Sequence, residues 1–248
     1  MLSVAVLMTV RSHRERALQG LEECIRQMDR LVEGGLYTYR IFLNDDASSD
    51  GIAEDIRERF PDVTIIKSPG DRSWGGGIRT AWLGAAEAGH WDFYLWLDYD
   101  LELRENALSE LFDTSSMLRH RAILAGTATD AEGNLLAGGR SADGRLLQPD
   151  VMIPLPCHTF DGVLVLVPAA VFDAIGPLDE RYRHALAAND YGIRARKAGF
   201  PRMVTAGVSG IASRRLPVSD DKEEFHYNSR AYGFFHALRT RFRKKSNG

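Results

Sequence analysis

Cysteine is scarce: Cys24 and Cys157 are the only two in 248 residues, they lie far apart, and neither belongs to a metal-ligand spacing. This excludes a disulfide framework and a zinc module, and reads as two buried thiols of a reducing compartment. Long apolar runs are also missing; none approaches the ~18 residues that a spanning helix needs. The opening "MLSVAVLMTVRSHRER" has a short apolar run, with no basic segment before it and no small-residue cleavage site after it. It therefore does not read as a signal peptide, and a soluble, cytoplasmic protein is expected. Excess charge of either sign is absent. With a net charge of −3, nothing global argues for nucleic acid as a partner. Locally the balance shifts, from the acidic "SDDKEEF" to the strongly basic closing "RTRFRKKSNG". Internal repeats and linkers are lacking as well. A chain of this length, 44% hydrophobic, can bury one large core.

What the sequence does contain is an alternation of strand and helix signals. "SVAVLMTV" (3–10), "YRIFLN" (39–44), "VTIIKS" (63–68) and "DFYLWLD" (92–98) are short apolar or β-branched runs, expected as buried strands. Between them, Ala17, Leu18, Leu21, Ile25, Met28 and Leu31 recur at helical spacing. "SDGIAEDIRERF" (49–60) predicts a helix capped by Ser49 or Asp50, and an Ala-rich helix ends near Ala88. This β-α-β-α-β-α-β order predicts a doubly wound, mostly parallel sheet with its sites at the carboxyl ends of the strands. The second half predicts a Gly-punctuated hairpin in "AILAGTATDAEGNLLAGGR", a buried strand in "FDGVLVLVP" (160–168) and a helix around "AAVFDAIG". Two further helices are expected over 189–200 and 225–242.

Four polar clusters fall at predicted strand ends. "NDDASSDG" (44–51) offers carboxylates to a base or ribose; taken alone it reads first as a turn with a helix cap. "SWGGGIR" (73–79) is expected as a glycine-rich loop entering a helix, where backbone amides favour an anion and Arg79 can meet a phosphate. It is neither a Walker A loop nor a dinucleotide fingerprint, and Arg79 also reads as part of a solvated helix face. In "LWLDYDLEL" (95–103), Asp98 and Asp100 converge on a hard cation such as Mg²⁺ or Mn²⁺ if the strand continues through Tyr99. "AANDYGIR" (187–194) places Asp190 near a helix start, as a cap or as a carboxylate able to take a proton from a hydroxyl.

The order of these clusters resembles a family 2 glycosyltransferase with the GT-A fold, over about Val4 to Arg239. The likeness is strongest at "DDASSDG", "WGGGIRTAW", "LWLDYD", "FDGVLVLVPAAVFDAIGPLDERY" and "DYGIRARKAGF". It is similar to bacterial enzymes that build surface polysaccharides, rhamnosyltransferases among them. The resemblance implies one α/β domain: a Rossmann-like nucleotide-sugar-binding half over about 1–103, an acceptor-side half over about 104–224, and a C-terminal helix with basic tail over 225–248. It implies that Thr9, Arg11, Asp45 and Asp46 bind the nucleotide, and that Asp98 and Asp100 hold the metal on the donor diphosphate, Asp100 more directly. Trp74, Gly75, Gly76, Gly77 and Arg79 would line the donor pocket.

Two positions depart from that family's pattern. Relatives often read Gly-Asp-x-Asp-Tyr-Gly where this chain has "AANDYG", so Ala188 falls where the catalytic base is expected. Asp190 becomes the candidate base, with Asp161 or His158 as fallbacks. Relatives also carry a His near "GIASRR", where Ser213 or Arg214 stands here; Arg214 or Arg215 can supply cationic charge instead. The expected activity is transfer of a sugar, of the hexosyltransferase type, with inversion. The donor would be a UDP- or dTDP-sugar bound with Mn²⁺ or Mg²⁺, and the acceptor a glycan or a lipid-linked acceptor. A relative that binds without transfer is the alternative. A nucleotidyltransferase ranks below both, because "TVRSHRER" after the first strand has no glycine. Tyr227, Arg230, Tyr232, Phe234, Phe235 and the basic residues up to Lys245 suit peripheral membrane contact or a core-packing helix with a solvated end.

Overall fold

A computed structural model of the chain describes residues 1–213. Arg214, Arg215 and the helix expected over 225–242, with Tyr227 and Arg230, lie outside the described residues. The first half runs β1 (Leu2–Val10), α1 (Arg14–Glu33), β2 (Tyr37–Asp46), α2 (Ile52–Arg59), β3 (Thr64–Ser68), α3 (Ser73–Ala88) and β4 (Phe93–Leu97). The second half adds β5 (Leu101–Leu103), α4 (Ala107–Met117), β6 (Ile123–Ala125), β7 (Ala128–Thr129), β8 (Leu135–Ala137) and β9 (Gly139–Arg140). It continues with β10 (Leu155–Pro156), β11 (Thr159–Phe160), β12 (Leu164–Pro168), α5 (Ala169–Ile175), α6 (Leu186–Lys197), β13 (Arg202–Val204) and β14 (Gly210–Ala212).

Eight strands form one sheet in the order β10-β13-β6-β12-β4-β1-β2-β3. The neighbours from β4 to β3 are parallel, while β12 runs antiparallel to both β4 and β6. The chain winds from β1 outward to β3, then returns to the other side of β1 as β4. That reversal puts a topological switch point between β1 and β4, where ligands bind in open α/β sheets. A smaller sheet, β5-β14-β7-β8, stands beside the main one, and β11 pairs with β9.

Alternation along β4 shows why the strands are apolar throughout. Phe93 meets Phe112 of α4, while Tyr94 and Trp96, pointing the other way, meet Trp82 of α3. Both faces of β4 are therefore covered, as its continuous burial requires. Trp82 also touches Phe172 of α5 and Tyr191 of α6, so one ring cluster ties three helices to the central strand. Cys24 and Cys157 are buried, and burial pushes each thiol up to about 12, as expected of inert core cysteines.

Three local expectations are corrected. The helix expected from residue 49 starts at Ile52, after Gly51 with φ 81°; Asp50 reaches the Ile52 N–H with one oxygen at 3.4 Å and accepts the Arg14 backbone N–H with the other at 2.9 Å. The expected glycine-rich loop is already helix, because α3 begins at Ser73. Its glycines serve close packing: a Cβ on Gly75 would lie 2.8 Å from the Ala187 Cβ and the Tyr182 carbonyl oxygen. The strand expected over 160–168 is split into β11 and β12, with Gly162 between them pressed against Trp74, whose ring a Cβ would meet at 2.0 Å.

Candidate functional site

The carboxyl ends of β1, β2, β3 and β4 carry the polar residues of the first half. Thr9 and Asn44 face each other in register, and the buried Asn44 amide donates to Thr9 Oγ1 at 3.0 Å. Asp45 accepts the Ser48 N–H at 2.9 Å, which shapes the turn after β2. Asp46 is 1% exposed, and its carboxylate is spent on the next loop: it accepts the Ser68 hydroxyl at 2.7 Å, the Gly70 N–H at 3.0 Å and the Arg72 N–H at 3.0 Å. Asp46 thus fixes the connection from β3 to α3. Arg11 is exposed at the mouth of β1.

The backbone is strained around this mouth. Ser12, His13, Ala47 and Ser73 all have left-handed φ between 53° and 64°, and they follow β1, β2 and β3. Such conformations cost of order 1–3 kcal/mol each and cluster where a ligand or a switch is served.

The expectation that Asp98 and Asp100 share a face of a continuing strand is also corrected. β4 stops at Leu97, and Asp98 to Leu101 form a turn closed by the Leu101 N–H on the Asp98 carbonyl at 3.1 Å. Within it, the Asp98 Oδ1 accepts the Asp100 N–H at 3.1 Å, so the side chain of the first aspartate builds the turn that presents the second. Both carboxylates are buried, 6% and 8% exposed. Asp98 is held from behind by its N–H on the Val163 carbonyl at 2.9 Å.

α1 braces this turn with one face. His13 stacks on Tyr99, with ring centroids 5.9 Å apart at 20°. Arg16 donates to Asp100 Oδ1 at 2.5 Å and also to the Ser213 hydroxyl. A Cβ on Gly20 would sit 2.7 Å from the Tyr99 carbonyl oxygen. Ser213 completes the group, its hydroxyl 2.8 Å and 3.0 Å from the two Asp100 oxygens. Sequence reasoning missed Arg16. Its only signal was helical spacing with His13 and Gly20, three residues that share nothing but a common neighbour in space.

The proposed pocket residues of α3 lie deeper than expected. Trp74 is 8% exposed and packs on Trp96, while Gly75 and Gly77 are buried. Arg79 donates to the Leu178 carbonyl at 3.0 Å and so anchors the segment before α6.

The acid–base candidates come from the second half of the chain, Asp161 two residues before Val163, whose carbonyl accepts the Asp98 N–H. α6 begins at Leu186, so Asp190 lies in its second turn rather than at its N-terminus, and its carboxylate accepts Arg194 Nε at 2.7 Å. Arg194 is fixed in turn by the Ile175 and Pro177 carbonyls. Ala188 is fully buried. Asp161, 4% exposed, pairs with Arg140 at 2.8 Å and also accepts the Gly138 N–H. The His158 imidazole is held below its usual pKa by burial and by Arg196 and Arg202, so it is neutral at neutral pH.

A cleft of about 970 Å³ opens on the α1 side of the turn, lined among others by Arg16, Gln19, Glu23, Tyr99, Asp100 and Glu102. Thr9, Asp45 and Asp46 do not line it. The aspartate turn therefore separates two regions, the strand ends toward β2 and this polar cleft.

An α/β fold with a mostly parallel sheet, an aspartate turn at its switch point and a second, smaller sheet is that of a GT-A glycosyltransferase. Residues 6–147, more than half of the chain, match the family model of glycosyl transferase family 2, and the chain belongs to that family. A comparison with curated proteins gives no match. Among solved structures, S. aureus TarS is similar at a TM-score of 0.61 and 14% identity, covering 86% of this chain and 37% of that one. The mannosyltransferase PcManGT from Pyrobaculum calidifontis, in complex with GDP-Man and Mn²⁺, is similar at 0.59 and 15%, covering 85% and 56%. The chain thus spans less than two thirds of these structures, and at such identities the likeness speaks for the fold.

Among the described residues, no three His, Cys, Asp or Glu side chains gather into a metal cage. The donors at the turn are nevertheless all oxygen: two aspartates and the Ser213 hydroxyl. A hard divalent cation shared with substrate phosphates needs only one or two carboxylates. Two carboxylates and a hydroxyl at the turn fit a cation held jointly with a diphosphate.

Proposed function

We propose that the protein is an inverting glycosyltransferase that moves a sugar from a nucleoside-diphosphate donor to a hydroxyl of a glycan or lipid-linked acceptor in cell-envelope polysaccharide synthesis. The observation that carries this reading is the buried Asp98–Asp100 turn at the switch point, braced on three sides by α1, Ser213 and Val163. UDP- and dTDP-sugars are the proposed donors, and the GDP-Man of the mannosyltransferase neighbour adds the GDP series to those worth testing. Thr9, Arg11, Asp45 and Asp46 form the nucleotide side, Asp46 acting through the 68–72 loop that it holds. Asp98 and Asp100 would hold Mn²⁺ or Mg²⁺, which when bound offsets charge on the departing diphosphate. Gly75, Gly77 and Arg79 shape the donor side by packing α3 against β1, β2, α6 and the segment before it, Trp74 by packing on Trp96, and Gly76 lies on the open side of the same helix. The acceptor hydroxyl attacks the anomeric carbon opposite the leaving group, and Asp190, once released from Arg194, takes its proton.

A second reading has its own support. Ala188 is buried, Asp190 is paired with Arg194 and Asp161 with Arg140, so every carboxylate considered as base is engaged by a cation. This arrangement favours a relative that binds a nucleotide sugar with slow or no transfer. Loss of a base costs about 10²–10⁴-fold in rate.

Calorimetric titration with UDP, dTDP and GDP, each with Mn²⁺ and with EDTA, tests the donor site. The expected result is metal-dependent binding of one nucleotide, lost in Asp100→Ala. Failure of all three to bind would sink the donor-site reading. Binding without product from the matching sugar nucleotide would favour the second reading. Peripheral membrane contact is proposed for the aromatic and basic residues between 227 and 245. Co-sedimentation with anionic liposomes should fall on truncation after Arg239, and equal pelleting would remove the idea.

A further inference from the structure

Asp100 already faces a cation that belongs to the chain. Arg16 is the third residue of α1, in the turn where the positive end of the helix dipole disfavours added positive charge. The helix therefore gives no reason for a guanidinium at this place; the aspartate turn does. Asp100 is 6% exposed in its side chain and anchored by its backbone N–H on Asp98, whereas the Arg16 side chain is 52% exposed. One partner is fixed and the other has solvent to swing into. The guanidinium binds Oδ1, an oxygen that a divalent cation at Asp100 would also use, and two cations at one carboxylate repel each other.

We infer that Arg16 is a built-in competitor for the metal position: it pairs with Asp100 when no divalent cation is present, and a cation reaches Asp100 by displacing it. Ser213 stays on Asp100 in either state, since its hydroxyl reaches both carboxylate oxygens. Arg16 is thus a positioning residue that weakens metal binding to the free protein. This rests on the Asp98–Asp100 turn as a cation site, and not on which nucleotide is the donor.

The test follows the free Mn²⁺ electron paramagnetic resonance signal on the full chain, first with Mn²⁺ alone and then with each nucleoside diphosphate. Wild type, Arg16→Gln, Arg16→Lys and Asp100→Asn are compared. Arg16→Gln is expected to bind Mn²⁺ alone about tenfold more tightly than wild type, the size of one charge-assisted hydrogen bond. Arg16→Lys should fall between the two, and Asp100→Asn should lose binding. Equal or weaker binding by Arg16→Gln, at an unchanged melting temperature, would overturn the inference, as would no binding in any form. The nucleotide arm reads the donor site separately. Tighter binding by Arg16→Gln with no response to any nucleotide would keep the inference and defeat the donor reading. A nucleotide response without any Arg16 effect would do the reverse.

Discussion

Trp82→Ala is expected to lower the unfolding free energy by about 3–5 kcal/mol, the range for emptying a buried aromatic site. Trp82 is fully buried on α3 and meets four rings: Tyr94 and Trp96 of β4, Phe172 of α5 and Tyr191 of α6, at centroid distances of 5.2–5.3 Å. Those neighbours belong to three different elements packed at native density, so they cannot all collapse inward to fill the hole. The measurement is urea unfolding followed by circular dichroism, with the midpoint falling and the slope unchanged. Trp82→Phe keeps most of the ring contacts and should be clearly milder. An alanine variant within 1 kcal/mol of wild type would show that the cluster is not the joint between the strand leading into Asp98 and the helix bearing Asp190. Because it is that joint, the loss should also reach the site: nucleotide binding should weaken at temperatures well below the melting point.

The fold was legible because its signals are local. A run such as Val4–Val10, buried at every position, has no reading other than a covered strand, and the spacing of Leu18, Leu21 and Met28 has none other than α1. Errors arose where a residue's role is set by a neighbour distant in sequence. "WGGGIR" looks like a phosphate loop because glycine is permissive, yet Gly75 and Gly77 are small because α6, β1 and β2 press against α3. The D-x-D pattern suggested strand alternation, but an aspartate side chain bonding two residues ahead makes a turn as readily. Asp190 was placed at a helix start because the preceding alanines of "HALAAND" carry no cap, and the helix simply begins earlier. Arg16 was invisible for the same reason in reverse: its meaning lies in Asp100 and Ser213, 84 and 197 residues away.

Gly77→Ala joins these two threads and should affect stability and site together. A Cβ at position 77 would lie 2.0 Å from Thr9 Oγ1, 2.7 Å from Thr9 Cβ and 3.0 Å from Asn44 Nδ2. Rotating Thr9 relieves the first contact but not the second, since the Thr9 Cβ is fixed to β1. Thr9 Oγ1 is moreover the acceptor for the buried Asn44 amide, and turning it away strands that donor. The helix must therefore retreat from β1 and β2, at a cost of about 3 kcal/mol for overpacking. Gly76, its neighbour on the open side of the same helix, meets only the Arg72 side chain, at 3.3 Å. Gly76→Ala should stay within about 1 kcal/mol of neutral, because added helix propensity offsets the contact. Paired melts of the two variants, with nucleotide titration of each, separate packing from ligand contact. If α3 serves by its position against β1, Gly77→Ala loses stability and binding together while Gly76→Ala keeps both. Loss of binding by Gly76→Ala at full stability would show instead that the exposed backbone of α3 touches the ligand. In that case the donor site extends over the helix start, as the glycine run first suggested.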